Sequence, residues 1–256
     1  MEKVLLKREN GVSIISFNRP DKYNALDADS LKQLLEKLKT VQENDDKILI
    51  ITGEGKAFCA GGDIEAMKEM PNLESFAEMM DVVTELTEIL YLMPKIVISA
   101  VNVSAAGFGL SLALNSDYVV ANEETRFGVL FAGIGLIPDG GGHFFLERRL
   151  GHHKAKQFIW SLEQVAGKEA EEYGLIDVKV EGDAFEGAKQ LAAKLQKSPL
   201  LSLIETKLIY HEKNIAELRD VLKREKESQL KMRQTEDHKE GASAFLEKRK
   251  PNFKGQ

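Results

Sequence analysis

Lys47-Ile-Leu-Ile-Ile-Thr-Gly-Glu-Gly-Lys-Ala-Phe-Cys-Ala-Gly-Gly-Asp63 decides the architecture. Its opening residues form a short apolar, β-branched run with no polar alternation, the pattern of a strand covered on both faces. Gly53 ends the run, and the small residues Ala60, Gly61 and Gly62 lead on towards a helix. The same order recurs downstream. Ile96 to Val101 reads as a second buried strand, Ser104-Ala-Ala-Gly-Phe-Gly109 as a second small-residue loop, and a short apolar helix opens after Gly107. Tyr118 to Ala121 adds another strand. Upstream, Val4 to Lys7 and Val12 to Phe17 flank Glu-Asn-Gly and read as a hairpin. Ser30 to Val41 places Leu31, Leu34, Leu35, Leu38 and Val41 on one helical face, and Leu73 to Leu92 is a long helix stopped by Pro94. Strands alternating with helices predict an α/β core with a largely parallel sheet.

Beyond about Lys168 the pattern turns helical: Phe185 to Leu195, Leu200 to Tyr210, Ile215 to Lys231, and a last piece near Ala242 to Lys248. The division expected is a core over 1–195 and a helical C-terminal region over 196–256. With 256 residues, 43% of them hydrophobic, the chain is long enough to bury a core of that size. No apolar stretch approaches a membrane span, and the start lacks a signal-peptide core, so a cytoplasmic protein is expected. The single Cys59 forms no internal disulfide, and the five histidines show no ligand spacing, so no metal site is expected. A net charge of −6 with interspersed signs argues against a nucleic-acid partner.

Two loops carry the chemistry. In Gly53 to Asp63 the small residues let backbone N–H groups approach a ligand closely. Glycines alone favour a plain strand-to-helix turn. The dinucleotide fingerprint fails, because Phe58 occupies its third glycine position, and no phosphate-loop lysine follows. The second loop also feeds a helix N-terminus, where free N–H groups and a positive dipole lie. Two such loops after two central strands are able to aim two donors at one oxygen. A thioester becoming an enolate needs that arrangement, each donor being worth ~3–4 kcal/mol in the transition state.

Asn18-Arg-Pro-Asp-Lys-Tyr-Asn-Ala-Leu26, Ala57-Phe-Cys-Ala-Gly-Gly-Asp-Ile64 and Gly135-Leu-Ile-Pro-Asp-Gly-Gly-Gly142 resemble the signature segments of the crotonase (enoyl-CoA hydratase/isomerase) superfamily, in order and spacing. The ending, Glu240-Gly-Ala-Ser-Ala-Phe-Leu-Glu-Lys-Arg-Lys-Pro-Asn-Phe253, is similar as well. The resemblance implies a spiral of ββα units, a helical C-terminal trimerisation region, and a homotrimer or dimer of trimers. It implies an acyl-CoA thioester as substrate, with coenzyme A part of that substrate and no separate cofactor. By position it makes the N–H groups of Ala60 and Phe108 the oxyanion donors. It places Lys22, Tyr23, Ala60, Gly61, Gly62, Asp63 and Ile64 at the coenzyme A site. Position 108 is usually small in the family, so the Phe108 ring is expected to narrow the acyl pocket.

Hydratases of this family typically use two glutamates, and the matching positions hold Ser111 and Phe131. Neither is a carboxylate base. One carboxylate remains in the neighbourhood, Asp139 in Ile137-Pro-Asp-Gly140, and one base suffices to take a proton and return it two carbons away. A turn residue or helix N-cap is the alternative role for Asp139. The combination is similar to ring-1,2-epoxyphenylacetyl-CoA isomerases of phenylacetate breakdown. An isomerase acting on an unsaturated or ring-epoxide acyl-CoA is therefore expected. The alternatives are an enoyl-CoA hydratase of unusual site or a catalytically silent acyl-CoA-binding relative. Cys59 reads as a small core residue, and the charged helix from Ile215 to Arg233 as a solvated or subunit-facing surface.

Overall fold

A computed structural model describes residues 2–70 and 72–256. The elements run β1 (Val4–Glu9), β2 (Val12–Phe17), α1 (Ala28–Glu43), β3 (Ile48–Gly53), α2 (Ile64–Lys68), α3 (Leu73–Tyr91), β4 (Ile96–Ala100), β5 (Ser104–Ala106), α4 (Phe108–Leu114), β6 (Tyr118–Asn122) and β7 (Arg126–Gly128). They continue with α5 (Gly142–Leu150), α6 (His152–Ser161), β8 (Gln164–Ala166), α7 (Gly167–Glu172), β9 (Val178–Val180), α8 (Ala184–Leu195), α9 (Leu200–Met232) and α10 (Glu236–Leu246).

The main sheet has the order β1-β2-β3-β4-β6-β9 and is parallel except for the β1–β2 hairpin. All six residues of β3 are buried, as a strand covered on both faces requires. Its side chains alternate between two cores. Leu49 and Ile51 join Leu34, Leu38, Val83 and Leu86 of α1 and α3 on one face. Ile48 and Ile50 join Ile96, Ile98, Ala188 and Ile204 on the other, under α8 and the start of α9. A smaller sheet, β5-β7-β8, stands over the C-terminal ends of the main strands. Its three-residue strands are too short to leave a periodic signal in the sequence.

The expected hairpin, core strands and α1, α3, α4 and α8 all form. One expectation is corrected. The two helices read over 200–210 and 215–231 are a single α9 of 33 residues, because His211-Glu-Lys-Asn214 contains no breaker. What changes there is the buried face. Ile204 and Lys207 turn to the sheet, while Leu218, Leu222, Glu225 and Gln229 turn to the other core at spacings of four, three and four. Among the described residues no helix is long and apolar enough to cross a membrane.

Candidate active site

The 53–63 loop is held open by a side chain twenty-nine residues from its start. Asn24 is buried in the left-handed conformation, and its Nδ2 donates to the carbonyls of Glu54 (3.0 Å) and Ala57 (2.7 Å). Its Oδ1 accepts from the N–H of Arg19 at 2.8 Å. Arg19 in turn reaches the Asp63 carboxylate at 2.9 Å, and Asp63 caps α2 through the N–H of Ala66. Burial pushes the Asp63 carboxyl upward, but Ala66, Arg19 and Lys22 together outweigh it and hold the group below the usual carboxylate range. Asp63 is therefore engaged in holding the loop.

The loop closes on the second one. Cys59 pairs with Ala105 as an isolated bridge, the N–H of Ala106 donating to the Cys59 carbonyl at 3.0 Å. Gly109 must be glycine here, since a Cβ would stand 2.4 Å from that carbonyl oxygen. Cys59 is buried, with its thiol pushed up to about 12 by burial, which suits packing rather than attack.

The donor expected at Ala60 is corrected. Its N–H already donates to the carbonyl of Tyr23 at 3.0 Å, and the N–H of Gly61 faces the Cys59 sulfur. Leu26 pairs with Gly62 through the carbonyl of Gly61 and the N–H of Asp63, which leaves the Gly62 N–H without a partner among the described residues. The N–H of Phe108, first residue of α4, is likewise without one. Gly62 and Phe108 both line a cavity of about 790 Å³. The two loops touch: a Cβ on Gly61 would lie 3.2 Å from the Phe108 nitrogen.

The cavity wall is mostly apolar, with Phe76, Met79 and Val83 of α3, Phe131 and Leu136 after β7, and Phe245 and Leu246 of α10. Lys22, Tyr23 and Lys248 lie at its exposed rim. Lys22 is drawn towards Glu65 at 2.8 Å. The Phe108 ring does border the cavity, but its edge is packed against Gly140, where a Cβ would meet Cε2 at 2.3 Å. Ser111 is buried in α4 facing Gly142, and Phe131 stands in the wall over Gly107.

Asp139 lines the same cavity at 9% exposure. It opens a turn closed by the Gly142 N–H on its carbonyl at 3.0 Å, with Gly140 and Gly141 at φ +61° and +80°, a backbone that glycine supplies without strain. Its Oδ2 accepts from Gln229 Nε2 at 2.9 Å, and its Oδ1 is buried without a partner. Burial first, and the nearby Glu225 second, push the carboxyl up to about 8, with the Gln229 hydrogen bond acting in the opposite sense. Both protonation states are thus accessible near neutrality, the condition for a group that alternately takes and gives a proton.

Sequence reasoning missed Gln229 and Glu225. They lie on α9, read as a solvated or subunit-facing surface, yet they are 0% and 2% exposed. Their signal was present as the continuation of the Leu218 and Leu222 face at helical spacings of three and then four. Among the described residues no cluster of His, Cys, Asp and Glu is able to hold a metal ion.

The family model described as enoyl-CoA hydratase/isomerase matches residues 7–256. The chain is 43% identical to "Putative enoyl-CoA hydratase/isomerase YhaR" of Bacillus subtilis (strain 168), over 99% of each chain. It is 35% identical to the 1,2-epoxyphenylacetyl-CoA isomerase of Escherichia coli (strain K12), over 100% of this chain and 99% of the other. Among solved structures, an enoyl-CoA hydratase from Mycobacterium avium subsp. paratuberculosis K-10 superposes with a TM-score of 0.89 at 29% identity, over 98% of each chain.

Proposed function

This chain belongs to the enoyl-CoA hydratase/isomerase family of the crotonase superfamily, and from that premise we propose that it is an acyl-CoA isomerase with Asp139 as its proton shuttle. The observation that carries the reading is a buried carboxyl on the cavity wall that has no cationic partner among the described residues. Of the other carboxylates bordering the cavity, Asp63 is committed to Arg19 and Ala66, and Asp21 and Glu65 are exposed near the Lys22 rim. The two positions where hydratases carry glutamates hold a serine turned to Gly142 and a cavity-wall phenylalanine.

In this reading the thioester carbonyl accepts from the N–H groups of Gly62 and Phe108. Asp139 Oδ1 takes a proton from the carbon next to the carbonyl. The C–H electron pair moves into the carbonyl, leaving negative charge on the oxygen held by the two donors. Oδ1–H then returns the proton two carbons away as the double bond moves into conjugation. One base acts twice and nothing is oxidised or reduced. The unsaturated or ring-epoxide acyl group occupies the apolar wall of Phe76, Met79, Val83 and Phe131, and the coenzyme A moiety leaves past Lys22 and Lys248. Assembly as a trimer or dimer of trimers belongs to the same reading. It is supported by Leu201, Ile209 and Tyr210 of α9, each exposed by more than three-fifths in the single chain.

Solvent deuterium exchange at the substrate α-carbon tests it. Exchange that disappears in Asp139→Asn supports the shuttle. A wild-type protein that binds acyl-CoA without exchange is a silent relative. Efficient hydration of a 2,3-enoyl-CoA would return the assignment to the hydratases.

A further inference from the structure

The Asp139 carboxyl is held by one oxygen only. Gln229 Nε2 donates to Oδ2 at 2.9 Å and, with its second hydrogen, to the carbonyl of Ile137 at 2.7 Å. With Asp139 ionised, turning that amide over would point its oxygen at two acceptors, which sets the orientation of the fully buried Gln229. One helical turn earlier, Glu225 accepts from the N–H of Gly141 at 2.8 Å and of His143 at 3.1 Å, and its Oε1 lies 2.8 Å from His143 Nδ1. It supplies the cap that α5 lacks, for the residue at that position, Gly141, has no side chain to cap with.

We propose that Gln229 and Glu225 are positioning residues for the shuttle: Gln229 reserves Oδ2 as an acceptor, so that Oδ1 alone carries the migrating proton, and Glu225 fixes the turn that presents Oδ1 to the cavity. The inference rests on the isomerase reading of the same site. A proton on Oδ2 would set O–H against N–H, two donors facing one another in a buried place where neither finds another partner. On Oδ1 it meets no donor, and Asp139 lines the cavity that the substrate would occupy.

The two helpers act on the charge of Asp139 in opposite senses, and that makes them separable from mere scaffolding. Glu225 is the anion facing Asp139 from α9, and His143 on α5 meets the far side of Glu225. From α4 the neighbours of the turn are Phe108 and Ser111, both uncharged, and from α3 across the cavity they are apolar. Removing the Glu225 charge eases ionisation of Asp139, whereas removing the Gln229 donor hinders it.

The test is a 13C NMR titration of the full-length protein labelled at aspartate carboxyls, the Asp139 signal being the one lost in Asp139→Asn. Glu225→Gln is expected to lower the Asp139 midpoint and Gln229→Met to raise it, each by about one pH unit. In kinetics the acidic limb of kcat/KM should move the same two ways, with KM for the thioester within about twofold of wild type. Midpoints unmoved, or moved in the same direction by both variants, overturn the proposal. Should Gln229→Met fail to fold, the isosteric Glu225→Gln still decides by the direction of its shift. The titration needs no turnover, so its failure is distinct from that of the isomerase reading, which falls if Asp139→Asn stays active.

Discussion

Consider Asp139→Asn at about pH 9. Burial and Glu225 raise this carboxyl from 3.8 to about 8, a difference of 8 − 3.8, roughly four units. At ~1.36 kcal/mol per unit, the folded protein carries at most about 6 kcal/mol of disadvantage from a group the unfolded chain ionises freely. The folded value lies above the unfolded one, so the proton favours the native state. That stability is complete below about pH 4, drains away as pH rises, and is gone above about pH 8. Structural relaxation trims the upper limit, and ~2–3 kcal/mol is the working expectation, equivalent to a Tm higher by about 5–10 °C for the asparagine variant in alkaline buffer. Near pH 4 the two proteins should melt together. The same change should lower turnover by ~10²-fold or more while acyl-CoA affinity holds, because the unpartnered N–H groups of Gly62 and Phe108, the proposed donors, are untouched. Thermal melts across the pH range, with steady-state kinetics on a thioester chosen by thermal-shift screening, read both effects. A Tm difference flat in pH would refute the raised carboxyl, and near-wild-type turnover would remove the base.

Four further outcomes are expected. Since the base works deprotonated, kcat/KM should fall about tenfold per unit as pH drops below about 8, which a pH–rate profile reads directly. Crotonyl-CoA hydration, followed by loss of enoyl absorbance, should be very slow, with Ser111 and Phe131 in place of acid–base groups worth ~10²–10⁴-fold each. Gly140→Ala should destabilise the fold by ~2–4 kcal/mol in chemical denaturation, from its φ of +61° and the Phe108 ring at 2.3 Å, and adding Phe108→Ala should recover part of the loss. Sedimentation should show a trimer or hexamer, and a stable monomer at micromolar concentration would count against the assembly.

How much of this was legible beforehand depended on how local each cause is. The α1 stripe from Leu31 to Val41 and the unbroken β3 run are set by neighbours within a few residues, and both were read correctly. The unity of α9 was obscured because its apolar face changes partway along, which resembles two helices more than one rod serving two cores. The expectation at Ala60 failed on a distant partner, since its N–H is taken by the carbonyl of Tyr23 while that of Gly62, two residues on, has no partner among the described residues. Gln229 and Glu225 were invisible for the same reason on a larger scale. Their partners lie 82 to 92 residues away, and in a helix rich in Lys, Arg and Glu two buried polar residues look like surface.

The long α9 also sets an order of events. At ~1.5 Å per residue its 33 residues form a rod about 50 Å long, which starts under the main sheet and ends beside Asp139. A chain emerging from the ribosome delivers β1 through α8, with the sheet and both loops, before the residues that orient the carboxyl have been made. During that interval the growing protein holds the sheet, both loops and a loose aspartate. In the proposed reading, competence waits for α9 and α10.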